Sequence, residues 1–318
     1  MNKIKGQLEA QRFIKNLSGN TKFIISKNSR AIGLSRQTYQ NKLDNLRDRK
    51  IITNFTINIK PNIRPNNLKY VMLEIKTNPK EPNLVKELLE IRQLKMLDGI
   101  IGDFSLFALF IFKSPEEYYQ ILNSIDNIMA KSYFKKYQII ETIKVFKTNG
   151  ISLNKSNSNF EIDNVDYTIL NILRDGQGFK PISTYEIRKI FKEQLKMEIS
   201  QSTIHNRIKK LESEGVILNY TINFCPKKIG FKGKYLLRIK PKDPSKYNEL
   251  ALRLDVNKNI TDLFRIGEQY GLFAIIRVKK IEDYATFIRD LYSSEEIEDT
   301  YTNFVLDELR QYTNFSFF

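Results

Sequence analysis

The pattern of hydrophobic and polar positions changes along the chain between a helical period and an alternating one. Over residues 161–217, apolar positions three or four apart predict helices near residues 165–173 and 184–196, and a third that starts at Ser200. The Ser200 hydroxyl can accept an otherwise unbonded N–H at that helix start. The apolar stripe of the third helix consists of Ile204, Ile208 and Leu211, so the polar positions between them face outward.

Residues 1–60 repeat this helical pattern. A helix near residues 6–17 precedes the turn Ile32-Gly33-Leu34-Ser35, and Ser35 opens a further helix. Its buried stripe is Tyr39, Leu43 and Leu46, so we expect Tyr39 to pack inside rather than stack on a base. Two helices joined by a short glycine-containing turn, the second capped and polar outside, indicate a helix-turn-helix.

The other segments combine alternating strands with helices. Strands near residues 68–76, 95–101, 106–112 and 138–146, with helices near 83–92 and after Ser114, follow the order β-α-β-β-α-β. Strands near 234–240, around Gly267–Gly271 and near 300–306, with helices near 247–254 and 281–292, repeat it. This order predicts an α+β fold with a ferredoxin-like sheet in each half. Helices cover one face, so we expect the two exposed sheet faces to pack together as an internal pseudo-dimer.

The chain contains an internal repeat at an offset of 165 residues, from Ser35 and Ser200 to Gly102 and Gly267. The Asn- and Ser-rich segment 149–159 interrupts the pattern and is typical of a linker. We therefore predict a first winged helix-turn-helix at 1–60, a first ferredoxin-like domain at 61–148, the linker at 149–159, a second winged helix-turn-helix at 160–225 and a second ferredoxin-like domain at 226–318.

The charge is strongly positive and unevenly distributed. The net charge is +16, and the first 60 residues hold 13 basic and 3 acidic side chains. Such a balance favours nucleic acid, an acidic protein or an anionic membrane surface as partner. The apolar stretch 100–112 is too short to span a bilayer and contains Asp103, so we expect no membrane segment. One cysteine excludes an intrachain disulfide and fits a cytoplasmic protein.

The outward helix faces carry the side chains that read base edges and bind phosphates. Arg pairs with guanine and Gln or Asn with adenine, whereas Lys, Arg and hydroxyl groups suit phosphates. A polar helix face is also common in any soluble protein, and the basic charge together with the duplication favours DNA. The candidate DNA-binding residues are Ser35, Arg36, Gln37, Thr38, Gln40, Asn41, Lys42, Gln201, Ser202, Thr203, His205, Asn206, Arg207 and Lys209.

Few residues offer other chemistry. His205 and Cys225 are the single histidine and cysteine, so we predict no metal, no cofactor and no catalytic residue. A solvated surface position explains His205 as well as a base contact does. Gly102, Asp103, Gly267 and Glu268 lie at the turns between strands and are weak candidates for binding a small effector; simple turn glycines are the alternative.

The sequence resembles the Lrp/AsnC family of transcription regulators, twice along the chain. The segments that carry the resemblance are 163–170 (DNVDYTIL), 200–217 (SQSTIHNRIKKLESEGVI), 226–231 (PKKIGF) and 31–35 (AIGLS). The resemblance implies a winged helix-turn-helix joined to an αβ-sandwich (RAM-type) domain that dimerises through its sheets. It also implies an amino acid or other small effector in many members, and a homo-oligomer.

Three hypotheses follow. The first is a sequence-specific regulator of double-stranded DNA, with its recognition helices in the major groove. The second is an architectural chromatin-type protein with little sequence preference, suggested by the charge. The third, an enzyme or small-molecule binder on the ferredoxin-like halves, lacks paired catalytic carboxylates, a phosphate loop and a nucleophile elbow.

Overall fold

A computed structural model describes residues 2–19, 22–63, 67–78, 80–153, 160–310 and 313–316. The helices are α1 (Asn2–Leu17), α2 (Ile25–Ala31), α3 (Arg36–Asp48), α4 (Pro82–Glu90), α5 (Pro115–Ala130), α6 (Asn164–Asp175), α7 (Thr184–Glu193), α8 (Gln201–Ser213), α9 (Tyr247–Asp255) and α10 (Ile281–Ser293). The strands are β1 (Ile52–Ile59), β2 (Lys69–Ile75), β3 (Leu94–Ile100), β4 (Leu106–Phe112), β5 (Tyr137–Thr148), β6 (Ile151–Ser152), β7 (Ile217–Phe224), β8 (Gly233–Pro241), β9 (Ile260–Ile266), β10 (Leu272–Val278) and β11 (Ile297–Arg310).

The chain forms two compact units, and each combines segments from both sequence repeats. The helix-turn-helix unit comprises residues 1–65 and 157–230, and the sheet unit comprises residues 66–156 and 231–318. Helices α1–α3 with β1, and α6–α8 with β7, lie in the first. The two segments with the order β-α-β-β-α-β lie in the second.

The helix-turn-helix unit has one shared core. Strands β1 and β7 pair antiparallel, from Ile52 opposite Phe224 to Ile59 opposite Ile217. Helix α6 packs on β1, and the Thr56 hydroxyl donates to the Arg174 carbonyl at 2.8 Å. Helix α1 packs on β7, and just beyond its end Gly19 exchanges backbone hydrogen bonds with Tyr220. Each opening helix therefore packs against the strand that follows the other helix-turn-helix.

The two helix-turn-helix turns differ in length. Residues 32–35 join α2 to α3, and Gly33 has φ 69°, where glycine avoids the steric cost of a side chain. The second turn is longer, residues 194–200, and contains no glycine. The predicted end of α7 at Lys196 is wrong: the helix ends at Glu193 because the chain enters the left-handed region at Lys196, φ 55°. Lysine has a high helix propensity, so the residue types of this segment did not indicate that α7 would end before Lys196.

The sheet unit is a closed ring of eight antiparallel strands. The order is β2-β4-β3-β11-β8-β10-β9-β5, and β5 returns to β2. The first part of β5 pairs with β2 and its second part with β9, whereas β11 pairs first with β8 and then with β3. The two sheets expected to pack face to face are therefore joined into one ring, because these two long strands connect their edges.

Each half of the ring packs its outer face on two helices. Val71, Leu73 and Ile75 of β2 lie in the core with α4 and α5, so the alternating residues Tyr70, Met72 and Glu74 face the interior. Across the interior, the rings of Phe107 and Phe273 stack with centroids 5.2 Å apart. Part of the predicted linker is strand β6, which pairs with β5, and residues 154–159 lie outside the described residues.

Candidate nucleic-acid interface

Helix α3 is capped and anchored as its sequence predicts. The Ser35 hydroxyl accepts the Thr38 N–H at 3.1 Å, and Leu43 and Leu46 are buried. Tyr39 is also fully buried, and its hydroxyl donates to Asn16 Oδ1 at 2.6 Å. Burial raises the pKa of Tyr39 well above its ordinary value. Tyr39 therefore packs inside, and the opposite face of α3 is the one left for a partner.

The outer face of α3 presents the predicted base-reading residues. Arg36, Gln37 and Asn41 are exposed, and Gln37 Nε2 donates to Asn41 Oδ1 at 2.9 Å. Gln40 is half-buried and donates to Asp44 at 3.1 Å. Within the described residues Arg36 has neither a hydrogen-bond acceptor nor a carboxylate partner, so its guanidinium is available to a ligand.

Helix α8 has the same construction. The Ser200 hydroxyl caps it by accepting the Thr203 N–H at 3.0 Å. Gln201 Nε2 donates to the Thr184 hydroxyl at 3.0 Å, which ties the start of α8 to the start of α7. Lys209 pairs with Glu212 at 3.0 Å. Gln201, Ser202, Thr203, His205, Asn206 and Lys209 are exposed, whereas Ile204, Ile208 and Leu211 are buried.

Two predicted phosphate contacts are already bound within the chain. Arg207 Nη1 lies 2.7 Å from Asp163 Oδ2 and 2.9 Å from Asp166 Oδ1, which ties α8 to the start of α6. The hydrogen bonds that Arg207 donates to Asp166 and Asp163 raise the pKa of Arg207. Lys42 forms an ion pair with Glu9 and so ties α3 to α1. Sequence reasoning missed these partners because each lies more than thirty residues away along the chain.

The weak candidates for effector binding lie in the turns that follow strands β3 and β9. Gly102 has φ 149°, a conformation that residues with side chains rarely adopt, and a Cβ there would lie 2.8 Å from Asn303 Nδ2. Asp103 is exposed beside it, and the Gly267 N–H donates to the Glu141 carbonyl at 3.0 Å. Glu268 lies 2.7 Å from Arg238 Nε, and burial raises the pKa of its carboxyl.

The residues that connect these loops carried no motif in the sequence. Arg238 is buried and contacts Glu74 at 2.7 Å and Asn303 at 3.2 Å, besides Glu268. Asn303 in turn donates to the Ile101 carbonyl at 3.0 Å. Arg238 and Asn303 therefore link the Gly102 turn to Glu268. The available signal in the sequence was a single arginine among the apolar residues Leu236, Leu237 and Ile239 of β8.

Other chemistry is sparse across the part of the chain that the structure describes. No cluster of three His, Cys, Asp or Glu side chains suited to a metal ion occurs there. His205 is exposed on α8, and Cys225 is half-buried with a free thiol. None of the helices over the same residues has the length and hydropathy needed to cross a membrane.

Comparison with known proteins matches about half of the chain in sequence. Residues 235–315 match the family model of the Lrp/AsnC ligand binding domain. The HTH-type transcriptional regulator FL11 of Pyrococcus furiosus is 32% identical over 146 residues, which are 46% of this chain and 89% of FL11. The regulator Ptr1 of Methanocaldococcus jannaschii is 30% identical over 41% of this chain and 80% of its own. Regulatory protein AsnC of Escherichia coli is 26% identical over 46% of this chain and 92% of its own.

The structure of siroheme decarboxylase NirDL matches nearly the full length of the chain. The siroheme decarboxylase NirDL superposes over 99% of this chain and 94% of its own, with a TM-score of 0.61 and 12% sequence identity. That likeness shows the fold alone. The relatives that are similar in sequence are helix-turn-helix transcription regulators, and each matches about half of this chain. The chain belongs to the Lrp/AsnC family of helix-turn-helix transcription regulators.

Proposed function

We propose that the chain is a sequence-specific regulator of double-stranded DNA, built from two fused copies of an Lrp/AsnC unit. The observation that carries the proposal is the helix-turn-helix unit, in which the capped helices α3 and α8 share one core through β1 and β7. Both helices leave polar faces exposed. The repeat at an offset of 165 residues and the recurring order of elements support the fusion.

In this proposal the first helical turns enter the major groove. Arg36 reads a guanine, and Gln37, Gln40 and Asn41 read adenines or neighbouring bases. On α8 the corresponding readers are Gln201, Ser202, His205 and Asn206. Lys42 and Arg207, the phosphate contacts expected from the sequence, each pair with a carboxylate of the chain, so we assign them to holding their recognition helices in place. The phosphate contacts proposed here are Ser35, Thr38, Thr203 and Lys209.

The two helix-turn-helix modules contribute unequally to DNA affinity. Residues 1–60 hold 13 basic and 3 acidic side chains, whereas residues 161–225 hold 9 of each. Because phosphate neutralisation releases counterions, the first module supplies most of the electrostatic affinity. The second module then contributes base contacts and fixes the position of the protein along the duplex.

Substitution of the α3 face tests the proposal. Duplexes selected from a random pool by the full chain provide the ligand. We expect Arg36→Ala to weaken binding to the selected duplex by about 1–3 kcal/mol and to relax the preference at one base pair. The matched control is Arg289→Ala on α10, which removes an exposed arginine from the sheet unit. Unchanged affinity in both Arg36→Ala and Gln37→Ala contradicts the assignment of α3.

The architectural alternative predicts a different affinity pattern. A protein that binds only through phosphates prefers no sequence, so random-pool selection enriches no motif and Arg36→Ala has no more effect than loss of any exposed arginine. Salt dependence does not separate the two hypotheses, because both involve phosphate contacts.

A non-enzymatic role is part of the proposal and is supported by the relatives, which are named as transcription regulators. NirDL is named as a siroheme decarboxylase and shares the fold. Incubation of the full chain with siroheme, followed by mass spectrometry, tests this part. An unchanged mass is expected, and a loss of carboxyl groups that persists after loss of both recognition faces contradicts it.

An effector at the Gly102 and Gly267 turns and a homo-oligomer also belong to the proposal. The effector part is supported by the matched ligand binding domain at residues 235–315, which contains Gly267, and the repeat relates Gly102 to that position. Titration of the full chain with the twenty amino acids, followed by calorimetry and by light scattering, tests both.

A further inference from the structure

The helix-turn-helix unit contains a partly open cavity behind the recognition helix α3. Its volume is about 370 Å³, within the range of small-molecule sites. It lies between the inner side of α3, strands β1 and β7, and the loop at 179–181 that follows α6. Its apolar walls are Phe23, Leu43, Ile52, Phe55, Phe179 and Ile222.

Cations dominate the polar part of this lining. Lys22, Arg47 and Lys180 face a single carboxylate, Asp44, among the described lining residues. Arg47 lies 3.0 Å from Asp44 and 3.2 Å from Asp48, and its guanidinium stands 5.5 Å from the centre of the Phe179 ring. The lining therefore carries a positive excess beside aromatic surface.

Lys22 brings its ammonium group into a partly desolvated position. Its Nζ donates to the Ile182 carbonyl, so a neutral acceptor is the hydrogen-bond partner that the structure gives it. Burial lowers the pKa of Lys22, and the charges of Glu186 and Glu212 partly oppose that effect. An anion beside this ammonium would be stabilised more than in water.

We propose that this cavity binds a small organic anion with an aromatic body. Phe23, Phe55 and Phe179 would contact the rings, and Lys22 and Lys180 would pair with the acidic group. The walls that belong to α3 include Asp44 and Gln40, which is also a proposed base reader, so the ligand would adjoin the polar face of that helix. This inference concerns ligand binding by the cavity and is independent of the proposed DNA binding.

A pair of matched fluorescent probes tests the ligand class on the full chain. The first probe is 8-anilinonaphthalene-1-sulfonate, and the second is N-phenyl-1-naphthylamine, which has the same rings without the sulfonate. The sequence contains no tryptophan, so emission from the probes is measured without interference from that residue. We expect the sulfonate to bind at one site per chain and about tenfold more tightly than the neutral probe. Equal or weaker binding of the sulfonate overturns the proposed anion selectivity.

Substitutions in the exposed rim locate the site with little risk to folding. Phe179 is 47% exposed and Lys180 is exposed. We expect Lys180→Glu to weaken sulfonate binding about tenfold, and Phe179→Ala to weaken both probes. Lys189→Glu on α7 makes the same charge change outside the lining and serves as the control.

The conservative variants Lys180→Arg and Phe179→Tyr should retain binding, and circular dichroism of each variant verifies the fold. Probe binding that Lys180→Glu and Phe179→Ala leave unchanged places the probe elsewhere and overturns the proposal. Equal losses in Lys180→Glu and Lys189→Glu indicate a general charge effect and overturn it as well. Loss of DNA binding in Arg36→Ala has no bearing on these outcomes.

Discussion

Basic side chains on the recognition helices are either available to a ligand or already held in ion pairs within the chain. Arg36 has no intramolecular partner among the described residues, whereas Arg207 is held by two carboxylates. Lys42 and Arg207 occupy equivalent positions of the repeat, and each ties its recognition helix to the opening helix of the same module. At this position the basic side chain stabilises the helix-turn-helix itself.

The Arg207 ion pairs lead to a prediction that separates stability from DNA contact. We expect Arg207→Ala to lower the free energy of unfolding, because Asp166 is buried and loses its cation partner. We expect the slope of log affinity against log salt to stay nearly unchanged. Urea unfolding and DNA titrations over a salt series measure the two quantities.

Lys209→Ala is the contrasting variant: Lys209 is exposed on the same helix and is a proposed phosphate contact, so we expect its removal to lower the salt slope and to leave stability nearly unchanged. A phosphate contact by Arg207 predicts the opposite pattern. The salt slope would then fall by about one on its removal, with little change in stability.

At the level of secondary-structure elements, capping residues determine where the helices of the helix-turn-helix unit begin. Asp163 caps α6 and forms a reciprocal capping box with Asp166. Burial alone would raise the pKa of Asp163, but hydrogen bonds from the Asp166 backbone and from Arg207 outweigh it, so the pKa lies below the ordinary 3.8. The ionised carboxylate therefore stabilises the start of α6.

This cap predicts a pH dependence. Because the folded pKa is lowered, the stabilisation is complete above pH 3.8 and is lost as the pH falls through the folded value. Asp163→Asn keeps the capping oxygen and removes the charge. We expect the wild type to be more stable than Asp163→Asn at neutral pH, and the difference to shrink as the pH falls. Chemical unfolding at a series of pH values measures it, and a constant difference contradicts the account.

Local signals predicted the elements well. The stripes Tyr39, Leu43, Leu46 and Ile204, Ile208, Leu211 are buried, and strand Leu106–Phe112 has the predicted bounds. These features depend on spacing and capping within one helix or strand. The candidate base-reading residues lie on an exposed face for the same reason, although their contact with DNA stays a prediction.

Long-range pairings could not be predicted in the same way. The pairing of β5 with β9 and of β11 with β3 joins residues more than a hundred positions apart, and no local pattern specifies that choice of edge. The packing of α6 on β1 and the ion pair of Arg207 with Asp163 also depend on such contacts. The cavity behind α3 is a product of this exchanged packing.

On the scale of the whole sheet unit, the closed ring contains buried charges. Lys234 Nζ lies 2.5 Å from Asp98 Oδ2 and 3.6 Å from Glu308 Oε2, and Arg277 lies 2.6 Å from the same Glu308 oxygen. Burial raises the pKa of Asp98, and the nearby charge of Lys234 opposes that shift. Asp98 lies on β3 and Lys234 on β8, so this pair joins the two halves of the ring.

Breaking this pair should destabilise the sheet unit. We expect Lys234→Met to cost about 3–5 kcal/mol, because it leaves the Asp98 carboxylate buried without its cation. The double variant Lys234→Met/Asp98→Leu should regain most of that loss. Urea unfolding of the wild type, both single variants and the double variant completes the cycle. Additive losses would mean that the pair does not couple the two halves.

The central claim, that two exposed helix faces in one unit give sequence-specific DNA recognition, is tested most directly by an affinity ratio. The full chain is titrated with a duplex selected from a random pool and with random-sequence duplex at the same salt concentration. We predict a ratio of about 10³ or more in favour of the selected duplex. A ratio near one contradicts it and supports architectural binding.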